Sequence, residues 1–226
     1  MSEPPQKTGR HEQYVWPLLF MFVVIVPQVV IPARNRVGPP SIVPIAELAL
    51  LAVIVAIAAR PGPMPRGSRP LVLSLFGLLV VANIGAAAHL VGLVLTENTI
   101  DGVVPSATRL LVTGVTVLAT NTVTFGLLYW QLDGGGPRAR EDDDPDRYVD
   151  FQFPQTSEPG LAAPGWTPLF FDYLYVAYTG VVAFSPTDTL PLTHRAKGLM
   201  AAQSIVALSV IVVVLARVIN ILPSSS

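Results

Sequence analysis

The chain contains no cysteine, which excludes disulfides, thiolate metal sites and a cysteine nucleophile. Charge is scarce at 13% of 226 residues and nets −1, so the broad basic surface of a nucleic-acid-binding protein is missing and no nucleic-acid partner is expected. Only three histidines occur, His11, His89 and His194, far apart in sequence. There is no His-Glu-x-x-His, no Gly-x-Ser-x-Gly and no phosphate-binding glycine loop, so neither catalysis nor a cofactor is expected. What fills the chain instead is apolar: 51% hydrophobic residues and a mean hydropathy of +0.56. A soluble domain of this size would carry more apolar surface than its core could bury, so the bilayer is read as the main solvent and the fold class as all-α integral membrane.

Crossing a hydrocarbon core of about 30 Å takes roughly 17 to 25 apolar residues. The sequence supplies such runs at 14–31, 42–59, 71–95, 110–131 and 198–222, giving five expected transmembrane helices. Ser41 ahead of Pro44, Ser68 ahead of Pro70, and Ser106 and Thr108 before Leu110 offer side chains that cap the first unpaired amides. The first run follows Lys7 and Arg10 as a signal peptide would, but it is long and lacks a good small-residue cleavage site, so it is read as a retained span. Three regions follow: four helices in 1–132, a polar extramembrane loop at 133–166, and a pore-like hairpin with the last helix at 167–226. The loop holds Arg138, Arg140, Glu141, Asp142, Asp143, Asp144, Asp146 and Arg147 without the spacing of a calcium loop, and is expected to be solvated.

The segment from Pro168 to Phe184 is ambiguous. With Thr167 as cap, its 17 residues reach about 25 Å, marginal for a span and generous for a re-entrant half-helix. Five full spans plus a re-entrant helix, or six full spans, both fit. Polar residues at membrane depth usually face protein or water. Glu47 lies early in the second helix, within reach of the headgroups. His89 shares a three-and-four stripe with Ala82, Gly85, Ala86 and Gly92, a small-residue seam on which an interhelical hydrogen bond is expected. Asn83, Asn121 and Gln203 are read as packing contacts between helices.

From Asp172 onward the sequence runs Asp172-Tyr-Leu-Tyr-Val-Ala-Tyr-Thr-Gly and reaches Ala183-Phe184-Ser185-Pro186-Thr187-Asp188-Thr189-Leu-Pro191-Leu-Thr193. Pro191, Thr193 and Lys197 stand three, five and nine residues after Asp188. Over about 50 residues this resembles the pore region of potassium channels, where a pore helix and filter lead through an Asp-x-x-Pro-x-Thr turn into the inner helix. The resemblance implies a hairpin built on Asp172, Tyr175, Thr179, Pro191 and Thr193, and a filter-like stretch at Phe184, Ser185, Pro186, Thr187, Asp188 and Thr189. It also implies a monovalent cation as partner and a homo-oligomer, a tetramer if a pore. The filter positions depart from that family: they hold no glycine, and Pro186 fixes its φ, so a stack of backbone carbonyls is not expected. Side-chain oxygens of Ser185, Thr187 and Asp188 would have to serve. The chain also resembles a bacterial, mainly actinobacterial, family of multi-spanning membrane proteins, through Tyr129-Trp-Gln-Leu-Asp133-Gly-Gly-Gly-Pro137, Phe153-Pro-Gln155 and Ala183 to Thr189. That likeness implies the bacterial plasma membrane and no mechanism.

Orientation follows from Lys and Arg, which accumulate in cytoplasmic loops. Six full spans place nine on the amino-terminal side and five opposite; a re-entrant hairpin makes it ten and four. Either way the amino terminus is expected in the cytoplasm. A re-entrant hairpin would then open toward the cytoplasm, opposite to a potassium channel. A pore, a non-conducting scaffold or partner subunit, and a secondary transporter remain as readings, the last without the internal repeat it would want.

Overall fold

The computed structural model describes residues 10–30, 42–58, 68–96, 106–137, 139–141, 147–158, 160, 162–182 and 188–221. The protein is built of helices: α1 (Arg10–Val30), α2 (Ile42–Ala58), α3 (Ser68–Leu95), α4 (Ala107–Leu132), a one-turn α5 (Pro154–Ser157), α6 (Phe170–Val182) and α7 (His194–Ile221). Two-residue strands, β1 (Phe151–Gln152) and β2 (Leu190–Pro191), form one antiparallel pair. Among the described residues, three stretches are long and apolar enough to cross a membrane: Phe76–Leu95, Ala107–Gly135 and His194–Asn220. The chain is an all-α membrane protein.

α4 is the central element, packed by α1, α3, α6 and α7. Its amino terminus is capped as the sequence suggests, Ser106 Oγ accepting from the Arg109 amide at 3.3 Å. About two turns from its start, Gly114 lets α7 approach: a Cβ there would stand 3.3 Å from the Val214 methyls. Further along, a Cβ on Gly126 would lie 3.1 Å from the Leu174 Cα, so glycine at 126 is what allows the α6 backbone to lie against α4. Just beyond α4 come Gly134, Gly135 and Gly136, with φ of 56°, 86° and 99°. That left-handed backbone, which side-chain-bearing residues rarely adopt, turns the chain back over the end of α4.

The small-residue stripe of α3 does not pack as expected. Gly85 and Gly92 face open space, and His89 is exposed. α3 instead buries Phe76, Leu79, Asn83, Ala87, Leu90 and Val94, a three-and-four series rotated away from that stripe. Volume explains the difference: the larger apolar side chains contribute more dispersion contact with neighbouring helices than glycines do.

α6 also departs from expectation. It starts at Phe170 rather than Pro168 and has 13 residues, about 20 Å of rise. The Asp172 carboxylate takes the Leu169 amide at 2.7 Å, so Asp172 closes the first turn. Both α6 and α7 begin at the end of the bundle where α4 finishes. Tyr173 bonds Asp133 just past α4, and β2, immediately before α7, pairs with β1 beside that same residue.

A candidate functional site at the hairpin mouth

Asp133 follows the last residue of α4 and is 1% exposed. A buried carboxylate survives only when its lone pairs are taken. Oδ1 accepts the backbone amides of Asp150 at 2.6 Å and Phe151 at 3.2 Å, and Oδ2 accepts the Tyr173 hydroxyl at 2.6 Å. Arg140 lies beside this cluster. Its Nη1 donates to the carbonyls of Trp130 at 2.9 Å and Asp133 at 2.6 Å, and its guanidinium lies 5.0 Å from the Tyr173 ring centre. The Trp130 carbonyl belongs to the final turn of α4, where helical donors run out; the Asp133 carbonyl, just beyond it, also accepts the Gly136 amide at 2.9 Å.

Asp150 repeats the arrangement on the other flank. Its buried carboxylate accepts the Thr193 hydroxyl at 2.5 Å and Arg195 Nε at 3.3 Å, and forms an ion pair with Arg195 Nη2. Its carbonyl accepts the Leu192 amide at 2.8 Å. Thr193 Oγ1 in turn accepts the Ala196 amide at 3.1 Å, capping α7. Residues 150–153 thus cross the mouth as a strap, bonded to the end of α4 on one side and to the start of α7 on the other. Aromatic rings fill the space beneath. Phe151 lies 5.0 Å from Tyr129 and 6.2 Å from Tyr173, and Phe153 lies 5.2 Å from Tyr173 and 5.9 Å from Trp166. The 133–166 region is therefore not simply a solvated loop: Asp133, Asp150, Phe151 and Phe153 are buried.

Deeper in, Gln203 of α7 accepts the Tyr129 hydroxyl at 2.6 Å and donates to the Ala177 carbonyl at 2.8 Å. Ser204 donates to the Gly180 carbonyl at 3.2 Å, satisfying one acceptor in the last turn of α6. One glutamine thereby joins α4, α6 and α7.

Of the filter-like positions, Phe184, Ser185, Pro186 and Thr187 lie outside the described residues. Asp188 is exposed and Thr189 buried, both on the limb that returns to the mouth. Pro191 stands in β2 opposite Phe151, and Thr193 in the strap contact already described. Tyr175 is exposed on α6; Thr179 is buried and donates to the Val176 carbonyl at 2.9 Å. Asn121 Nδ2 of α4 donates to the side-chain Oδ1 of Asn83 on α3 at 2.9 Å, both residues buried. Glu47 falls within α2, and its side chain lies outside what is described. The structure thus joins Gln203, Thr193 and the α6 backbone into one system, and leaves His89 and the two asparagines apart from it.

Asp133, Asp150, Arg140, Arg195, Tyr129 and Tyr173 do not stand out in the sequence as members of one site. One signal was present: Phe151-Gln152-Phe153 alternates apolar and polar, a strand pattern inside an otherwise polar loop. Among the described residues, no group of three or more histidine, aspartate or glutamate side chains is placed to hold a metal ion. No family model matches this chain, and no curated protein and no solved structure does either.

Proposed function

We propose that this is a polytopic protein of the bacterial plasma membrane, with five full spans and α6 as a re-entrant half-helix, that works as an oligomeric, channel-like permeation element for a monovalent cation. The observation that carries the reading is that α6 and α7 start at the same end of the bundle, bonded to the two flanks of one strap. A half-helix followed by a non-helical return is tolerated at membrane depth only where protein covers it or where it lines a watery cavity. Within one chain, α6 is covered on its Tyr173, Leu174, Ala177 and Val181 side, while Phe171, Tyr175, Tyr178 and Val182 form an exposed stripe on the other. Copies of the chain meeting along that stripe cover the half-helix and bring their returning limbs together. Without glycines at the filter positions, cation coordination falls to side-chain oxygens, with Asp188 supplying negative charge.

A second reading, a non-conducting scaffold or partner subunit, draws on two observations. The Lys and Arg count along the sequence favours a cytoplasmic side for the loop after α4, and the exposed stripe of α6 is aromatic instead of polar.

Two experiments separate these readings. The natural absence of cysteine allows single replacements at Gly160 and Leu190, both exposed, to be probed on cells with a membrane-impermeant thiol reagent. Labelling from one side is expected; labelling from opposite sides would remove the re-entrant helix. Purified protein in liposomes is then expected to pass potassium or sodium, with Asp188→Ala reducing the flux. Flux equal to that of empty liposomes, with a partner protein co-purifying, would leave the scaffold.

A further inference from the structure

The strap is fastened unequally, and the inequality assigns it a direction of opening. On the α4 side, the Asp133 carboxylate is buried and holds two strap amides and the Tyr173 hydroxyl, and the Phe151 and Phe153 rings pack on the Tyr173 ring. On the α7 side, the fastening is a two-residue ladder, the Leu192 amide, the Thr193 hydroxyl and the Arg195 guanidinium. There the Arg195 side chain is 52% exposed, and Leu190 and Leu192 are 58% and 45% exposed. Local opening starts where few apolar contacts are buried and the hydrogen bonds are reached by water. An ion pair with one partner in solvent holds weakly.

We propose that the limb from Leu190 to Arg195 is a latch that unfastens from Asp150 while the strap stays fixed to Asp133. This makes the hairpin mouth a conformational device, with Asp150 as the positioning residue that keeps it shut. The proposal rests on the re-entrant reading of α6 for its consequence, passage through the mouth, but not for the opening itself. When the latch parts, Asp150 exchanges the Thr193 and Arg195 donors for water. The α7 start loses its tether to α4, while the half-helix remains held by Tyr173 from Asp133 and, deeper, by Gln203.

Amide-resolved hydrogen exchange on the intact protein in nanodiscs tests the opening. The Leu192 amide, which bonds the Asp150 carbonyl, is expected to exchange at least about tenfold faster than the Asp150 and Phe151 amides, which bond Asp133. Asp150→Asn is expected to speed Leu192 further and leave Phe151 unchanged, and Thr193→Val to do the same more mildly. Equal protection of the three amides in the unaltered protein, or joint loss in both variants, would show a single rigid unit and overturn the proposal. The consequence is tested separately with cysteines at Gln152 and Leu190, which face each other in the ladder. Oxidation is expected to slow Leu192 exchange and reduce liposome flux, with both reversed by a reductant. Slowed exchange with no flux in either state keeps the latch and removes the permeation reading. Flux that oxidation leaves unchanged would mean the latch does not control passage.

Discussion

Asp133 accepts the Tyr173 phenol at 2.6 Å, joining the end of α4 to the first turns of α6 forty residues later. Tyr173→Phe removes that donor and leaves a buried carboxylate oxygen short of a partner. A loss of about 1–3 kcal/mol is expected, read as a lower midpoint in detergent-titrated unfolding. Asp133→Ala strands two strap amides as well and is expected to be the more damaging change. A Tyr173→Phe variant as stable as its parent would show that this bond does not hold α6.

Gly126→Ala places a methyl group 3.1 Å from the Leu174 Cα, and backbone cannot swing aside as a side chain does. The expected destabilisation is about 1–3 kcal/mol. Gly85→Ala, facing open space on α3, serves as the comparison and is expected to stay within about 0.5 kcal/mol of the parent. A larger loss at Gly85 would reveal another helix against that face in the membrane.

Gln203→Leu deprives the buried Tyr129 hydroxyl of its acceptor and the Ala177 carbonyl of an extra donor. Hydrogen bonds between membrane helices contribute about 0.5–2 kcal/mol, and a loss in that range is expected. Adding Tyr129→Phe should restore part of it, because the stranded hydroxyl is then gone. No recovery in the double variant would place the role of Gln203 on the α6 backbone alone.

Gly136→Ala forces an L side chain to φ 99° and sets its methyl 3.0 Å from the Gln131 carbonyl oxygen. Strain of about 1–3 kcal/mol is expected. Because this turn delivers Arg140 to the end of α4, hydrogen exchange in the 150–153 strap should rise along with the loss of stability.

Much of the fold is legible in the chain. Apolar runs and their polar breaks mark the helices to within a few residues, and Ser106 caps α4 as its chemistry suggests. Of the residues singled out by the channel resemblance, Pro191 stands opposite Phe151 in the strand pair and Thr193 bonds Asp150, contacts that the sequence does not record. The α3 seam misleads because small residues at helical spacing mark a possible close approach without saying whether a neighbour is there. The approaches realised in the structure are at Gly114, Gly126 and Gly180, which form no single stripe. Asp133 and Asp150 are hidden for another reason: a carboxylate in a charged, glycine-rich stretch reads as solvated unless its donors are known, and those donors lie up to 45 residues away.

The sequence by itself determined the solvent of this protein, the number of apolar runs and the shortness of the segment before Asp188, because each depends only on local composition and on residues per ångström of helix. Tertiary structure alone decided that α6 and α7 start together and that a strap fastened through Asp133 and Asp150 lies between their starts. It also decided which glycines are close approaches and which face of α3 is covered. Those depend on which distant donors and backbones come to lie against one another, which no local pattern records.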